Sequence, residues 1–399
     1  MKEQRKKGKV VLIKGESQYN VLTYACEEMA KGFEMNGYEA VVLVGKEIVK
    51  VQKAIEILKQ EMADHGILIF SFNALFGEVL VNENLGMFDY LGFPVFAFLV
   101  DHPYFHTIRL NKNAAEKHYL SCVDYNHVAY VHKYHPNVKN VVFLPHFGFR
   151  AAEYIPYEEK KIDIYFPGSY YSLNDREKTL QLMPDVFHQI ASGLIAEMLK
   201  DGTLVLEEVL ENYLASIHFE YSKDEFTELM NAMTIVDQYV RDYQRNRVIT
   251  TILESGIGLT VAGAGWSILK ERYSDKIELL SEKGLDIEEN IKVIANSKII
   301  LNVLPGFKNG SHERVFTALM NECICLSDKN QFFAEQFIDG QEIVYYDMEH
   351  LERLPEIIHM ILQNPENAKQ IAVQGRDKVK DEYGFSNLAG KILNTMGYE

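Results

Sequence analysis

Along the first 150 residues, short and nearly unbroken apolar runs alternate with longer stretches whose apolar positions recur at helical spacing. Lys9–Ile13 reads as a buried strand, Val21–Met35 as a helix and Glu39–Val44 as a strand. Val49–Met62 reads as a helix, and Gly66–Phe70 and Pro94–Val100 as strands. His127–Val131 and Asn140–Pro145 are read as two further short strands. Apolar strands separated by helices predict a parallel sheet covered on both faces.

A second unit of the same style starts at Lys161–Pro167, which ends on the breaker cluster Pro167-Gly168-Ser169. From about Leu173 to Leu253 the pattern is helical throughout, for instance over Leu204–Ser216 and Lys223–Tyr243. The α/β rhythm then resumes with a strand at Gly258–Ala262, a helix at Ile287–Asn296, a strand at Lys298–Val303 and a helix at Glu313–Met320. Strands at Glu322–Leu326 and Glu342–Tyr346 follow, and the tail from Leu351 to about Asp381 is helical. The expected architecture is α/β: two Rossmann-like domains facing a cleft at the carboxyl ends of their strands. The expected domains are residues 1–155 and 156–384, the second carrying a helical insertion at about 173–250, with a final helix over 385–399 packing back on the first. The insertion is read as serving acceptor recognition or oligomer contacts, with plain packing as the bland alternative.

Composition narrows the function. Hydrophobic residues at 47% and charged residues at 25% fit a chain with sizeable cores. With 57 acidic residues against 41 basic ones the net charge is −16, which argues against general nucleic-acid binding. One local basic pocket for a pyrophosphate remains compatible with it. Cys26, Cys122, Cys323 and Cys325 form no zinc-like pairs and read as reduced core residues. The charged leader Met1–Gly8 runs into an apolar stretch too short for a signal peptide, and no segment is apolar enough to span a bilayer. A cytoplasmic protein is expected.

The most informative stretch is Lys298–Leu326, read as strand, loop, helix and strand. The loop bears Gly306 and Gly310, which let backbone come close to a ligand, and the helix behind it offers free N–H groups and partial positive charge. Ser311 is the expected cap, and Lys308 and Arg314 add cations suited to phosphate oxygens. The bland alternative is a βαβ unit with an exposed turn and two surface cations.

The order of segments resembles the CgeB-like glycosyltransferases, whose C-terminal half belongs with the group-one GT-B enzymes. The resemblance is carried by Lys161–Ser169, Arg247–Leu253, Leu259–Trp266, Ser297–Asn302, Ser311–Phe316 and Gly340–Asp347. It implies a transferase that takes a sugar from a nucleoside diphosphate donor, bound by the C-terminal domain, to an acceptor protein or glycan. Carried over by position, the loop Gly310, Ser311, His312, Glu313 and Arg314 would meet the donor pyrophosphate. Gly263 and Gly265 would let backbone approach the nucleoside, and Gly168 and Ser169 would line the cleft. The carboxylate pair of many retaining members is replaced: Asn309 stands where the first would fall and Thr317-Ala318 where the second would bind ribose.

An inverting transfer needs a base for the acceptor hydroxyl. Asp101 and His102 follow the strand Pro94–Val100 and are the catalytic candidates, with His106 a third. The alternative gives Asp101 to capping a turn and His102 to packing on Tyr104. His146 is read as structural. No Asp-x-Asp motif lies in a strand-end loop, so metal independence, no metal site and no cofactor are expected, with leaving-group charge offset by the helix dipole, Lys308 and Arg314. A bacterial origin is expected and a homodimer is left open. A degenerate glycosyltransferase-like binding or coat protein and a nucleotide-sugar epimerase are the competing readings.

Overall fold

The computed structural model describes residues 6–45, 50–112, 116–304 and 306–398; Val49, Pro305 and the start of the charged leader lie outside them. The chain forms two compact units, Met1–Phe147 with Asp381–Glu399, and Gly148–Lys380.

The first unit is built on β1 (Lys9–Lys14), β2 (Glu39–Val44) and β3 (Gly66–Phe72), a short antiparallel pair β4 (Leu80–Asn82) and β5 (Leu85–Gly86), then β6 (Val95–Phe98), β7 (His118–Cys122) and β8 (Asn140–Phe143). Its main sheet runs β2-β1-β3-β6-β7-β8 with every neighbouring pair parallel. Alternate residues face opposite sides, and both sides are covered. Val11, Ile13, Ile69 and Val95 pack with Ala54, Leu58 and Met62 of the helix Val51–Ala63. Phe70 and Phe96, paired in register, face the other way, where Phe33 of the helix Val21–Met35 meets Phe70 edge-on at 5.8 Å. The helix Phe385–Thr395 lies against Val21–Met35 so closely that a Cβ on Gly32 would overlap the Phe385 backbone.

One strand expectation fails here. His127–Val131 belongs to the helix Tyr125–Tyr134, started by the Asp124 carboxylate accepting Asn126 N–H at 2.7 Å. That helix buries His127, Tyr130, Val131 and Tyr134 at helical spacing. The strand of this region is β7, whose centre lies nine residues before that of the apolar run.

The second unit contains β9 (Ile162–Pro167), β10 (Leu259–Ala262), β11 (Ile277–Ser281), β12 (Ser297–Asn302), β13 (Ile324–Asp328) and β14 (Val344–Tyr346). The sheet order is β11-β10-β9-β12-β13-β14, all parallel. This is the doubly wound Rossmann order, reversing between β9 and β12, where open sheets bind ligands outside the carboxyl ends. The edge strand β11 was not anticipated, because only one of its five residues is buried and the run is short.

Five helices separate β9 from β10: Leu173–Gln181, Asp185–Lys200, Leu206–Ser216, Lys223–Ala232 and Thr234–Glu254. The stretch expected as one helix over Lys223–Tyr243 is two, divided at Met233; the first opens with a capping box between Ser222 and Glu225. The long helix Thr234–Glu254 belongs to both parts of the unit. Its second half packs Val248, Ile249, Ile252 and Leu253 into the core under the sheet, while its first half carries the insertion.

Candidate functional site

Within the second unit, the ends of β9 and β12 and the start of the helix Glu313–Met320 meet at one guanidinium. Arg314 Nη2 donates to the Pro167 carbonyl at 2.7 Å and Nη1 to Asn302 Oδ1 at 3.3 Å. Pro167 ends β9 and Asn302 ends β12, so Arg314 bridges the strand pair at which the sheet reverses. The Asn302 side chain is itself oriented by donation to Ser327 Oγ at 2.9 Å, and Tyr346 donates to the Asn302 carbonyl at 2.8 Å.

A second cation, which the sequence reading did not single out, joins it. Arg245, on the helix Thr234–Glu254, donates from Nη1 to the Ser169 carbonyl at 3.1 Å. Its guanidinium lies 5.7 Å from the centre of the Phe166 ring, and that of Arg314 lies 5.2 Å from the same ring. Burial, together with the Arg314 charge, pulls the Arg245 pKa down to about 10. Asp242 is 3.8 Å from Arg245, but its short contact, 2.7 Å, is to Arg176. The Arg245 Nε–H is buried and has no acceptor among the described residues. Two guanidinium groups on one aromatic ring, one with an unmet donor, concentrate positive charge locally in a protein of net charge −16. The only sequence signal for Arg245 was its i, i+4 spacing from Arg241 on a helix.

The other expected residues fall around this pair. Gly168 accepts the Trp266 indole N–H at 2.8 Å on its carbonyl, and a Cβ there would press on Phe166 and lie 3.6 Å from Arg314 Nη2. Ser169 Oγ accepts Ala264 N–H at 3.1 Å. Gly263 and Gly265 have φ of +144° and +83°, and a Cβ at either would collide with the backbone of Gly168–Tyr170. Their glycine character is therefore already required by the packing of the β9 and β10 loops on each other. Lys308 Nζ donates to the Gly202 carbonyl at 2.6 Å, fastening the loop after β12 to the insertion.

The cap of the Arg314 helix is His312, whose Nδ1 accepts Arg314 N–H at 3.3 Å; the expected cap Ser311 lies one residue earlier, fully buried beside the buried Gly310. A histidine ring nitrogen does here what a hydroxyl was expected to do. Glu313 accepts the Thr317 hydroxyl, and Thr317 Oγ1 accepts Phe149 N–H at 3.0 Å. Burial raises the Glu313 pKa, the Thr317 bond and Arg314 opposing it in part.

In the first unit, Asp101 lies just past β6 and is exposed, its Oδ2 accepting from Asn73 Nδ2 at 3.2 Å. Asn73 sits in the left-handed region with φ 52°, and its Oδ1 accepts Val100 N–H at 2.9 Å. His102 Nδ1 accepts Tyr104 N–H at 3.2 Å, and the ring packs on Tyr104, His127 and Tyr130 at centroid distances of 4.4, 4.3 and 4.8 Å. His102 thus caps the turn Pro103–His106, the role the bland reading gave to Asp101. Burial, Arg109 and His102 bring the His106 pKa down to about 4, so its ring is neutral at pH 7. His146 is buried with Nε2 3.2 Å from the Val100 carbonyl, a structural position. Among the described residues no three His, Cys, Asp or Glu side chains converge as metal ligands, and no helix is long and apolar enough to cross a membrane.

Several solved structures share this fold. The chain is similar to a sucrose-phosphate synthase from Thermosynechococcus elongatus, with 10% identity and a TM-score of 0.53 over 97% of this chain and 98% of that one. It is also similar to Alr3699/HepE from Anabaena, solved in complex with UDP and glucose, with 9% identity and a TM-score of 0.54 over 98% and 99%. A glycosyltransferase from Rickettsia africae matches at 10% identity and a TM-score of 0.50 over 98% of each chain. These likenesses and the two doubly wound units define the GT-B fold. Residues 244–394 further match the model of the family described as glycosyl transferase-like, which supports a group-one type of glycosyltransferase. No curated protein matches the chain in sequence at a significant level.

Proposed function

We propose that the protein is a glycosyltransferase that moves a sugar from a nucleoside diphosphate sugar to a hydroxyl group on a protein or glycan acceptor. The observation that carries this reading is the Arg314–Arg245 pair on Phe166, with an unmet donor, at the strand reversal of a doubly wound sheet. In the transfer the acceptor oxygen forms a bond to the anomeric carbon while the bond from that carbon to the phosphate oxygen breaks. The nucleoside diphosphate leaves with its negative charge offset by the two arginines and the start of the helix Glu313–Met320. Metal independence belongs to this proposal, since the protein's own cations take the part a divalent ion plays elsewhere. Asp101, exposed and oriented by Asn73, is the proposed base that accepts the acceptor proton. His102 holds its Nδ1 on Tyr104 N–H and serves to orient this segment. The resemblance to CgeB-like transferases supports the same reading.

UDP and glucose, the ligands of the Anabaena protein, make a UDP-sugar the first donor to try. Thermal shifts with UDP, GDP, dTDP, CDP and CMP, with and without EDTA, test the site. One nucleoside diphosphate should raise the melting temperature irrespective of EDTA, and Arg314→Ala and Arg245→Ala should each abolish the rise. The absence of any response would favour the non-catalytic binding reading, which the buried, hydrogen-bonded Thr317 in place of a carboxylate otherwise supports.

A further inference from the structure

The loop that carries Lys308 and Gly310 is held by side chains at the end of β13 and just beyond it. Asp328 Oδ1 accepts Leu304 N–H at 2.8 Å, where the chain leaves β12. Two residues on, the Asn330 amide donates to the Phe307 carbonyl at 2.8 Å and to the Gly310 carbonyl at 2.7 Å. The oxygen of the same amide accepts Phe333 N–H at 2.8 Å and so caps the helix Gln331–Gln336. Both amide hydrogens and the amide oxygen are therefore committed, tying the loop to a helix that packs Phe333 against Phe316 of the Arg314 helix at 5.8 Å. Beyond Gly310 come Ser311 and His312, the cap of that helix.

We infer that Asn330 is a positioning residue for donor binding: it touches no phosphate itself but fixes the loop that precedes Arg314. The inference rests on the donor reading of this site. Backbone of a glycine-bearing loop samples many conformations unless it is tied down, and anion contacts tolerate displacements of only a few tenths of an ångström. An aspartate at this position would still cap the helix, because its oxygen accepts Phe333 N–H, but it has no hydrogen to give the two carbonyls.

The experiment compares full-length wild type with Asn330→Asp and Asn330→Ser, the latter a capping side chain without charge. Hydrogen exchange is measured over residues 306–312, and the thermal shift is read with UDP, GDP, dTDP and CDP. The expected result is exchange at least about tenfold faster in the loop of both variants, with nucleotide-free melting temperatures near that of wild type and the nucleotide shift lost. A wild-type nucleotide response in both variants overturns the inference, as does unchanged loop exchange. If wild type itself responds to no nucleotide, the donor reading falls and this inference with it. That outcome is distinct from failure of the inference alone, in which wild type and variants respond equally.

Discussion

At the scale of single residues, the buried carboxyl of Asp328 shows how burial and function are linked in the second unit. Burial pushes its pKa from 3.8 up to about 6, against the opposing Leu304 N–H and the charge of Lys308. Because the folded pKa is the higher one, the folded state binds the proton more tightly. Stability therefore falls as pH rises from about 4 to about 6 and is level above, by an amount on the order of 3 kcal/mol. Asp328→Asn keeps an oxygen for Leu304 N–H and removes the charge. Urea unfolding at pH 4.5 and 7.5 should show the variant gaining on wild type at the higher pH; a pH-independent difference would refute the assignment. Gly265 offers a second test. With φ at +83° and the Tyr170 carbonyl in the way of a Cβ, Gly265→Ala should cost about 2–4 kcal/mol and lower the melting temperature. The family resemblance singled out Gly263 and Gly265, but sequence alone could not tell room for a ligand from room for a neighbouring loop. It found Arg314 for its place behind a glycine loop and overlooked Arg245, whose neighbours in sequence read as an ordinary charged helix.

At the scale of elements, the interior strand β7, His118-Tyr-Leu-Ser-Cys122, has polar residues at both ends of its pattern and was missed, whereas β1, β3, β6, β12 and β13 were legible as short, largely apolar runs. The run His127–Val131 is equally apolar, yet the Asp124 cap and the burial of His127, Tyr130, Val131 and Tyr134 at helical spacing make it a helix. The insertion was legible only as helical content. What fixes it to the sheet is Asp242, buried on the long helix, which takes Arg176 of the helix Leu173–Gln181 at 2.7 Å while Asn246 donates to the Tyr171 carbonyl at 3.0 Å. Removing the carboxylate leaves Arg176 and Arg245 without their shared counter-charge. Asp242→Ala should therefore cost about 3 kcal/mol, the lower end for a buried pair because Arg176 is partly exposed. Calorimetry would measure this as a fall in melting temperature. The nucleotide response should survive, since the variant leaves Arg245 and Arg314 in place and removes a competing negative charge. A lost response with the fold intact would show that Asp242 orients Arg245 rather than merely fastening the helix.

At the scale of the whole molecule, the chain completes its first unit with its last helix. Phe385–Thr395 covers Val21–Met35, Asn36 Nδ2 donates to the Ser386 carbonyl at 2.9 Å, and Phe385 packs on Phe147 with ring centroids 4.6 Å apart. Tyr398 adds a bond from its hydroxyl to the Ile67 carbonyl at 3.0 Å, next to the start of β3. A last helix returning to the first unit was expected from the sequence, but its partners were not legible, because the helix Val21–Met35 lies some 350 residues earlier and contacts of that separation leave no local pattern. A chain ending at Lys380 would expose the apolar faces of Phe147 and of the helix Val21–Met35. It would keep intact every residue of the second unit, Arg245 and Arg314 included. Burial of Leu388, Ala389, Ile392 and Leu393 is worth several kcal/mol at about 25 cal/mol per Å², a large part of the stability of one domain. The shortened chain should therefore unfold in two calorimetric steps, an early one from the first unit and a later one raised by the nucleotide that stabilises the full-length protein. A single transition at the wild-type temperature would mean that the last helix contributes little. A single early transition would mean instead that the second unit depends on the first for its own stability, and the donor site would then have to be studied only in the intact chain.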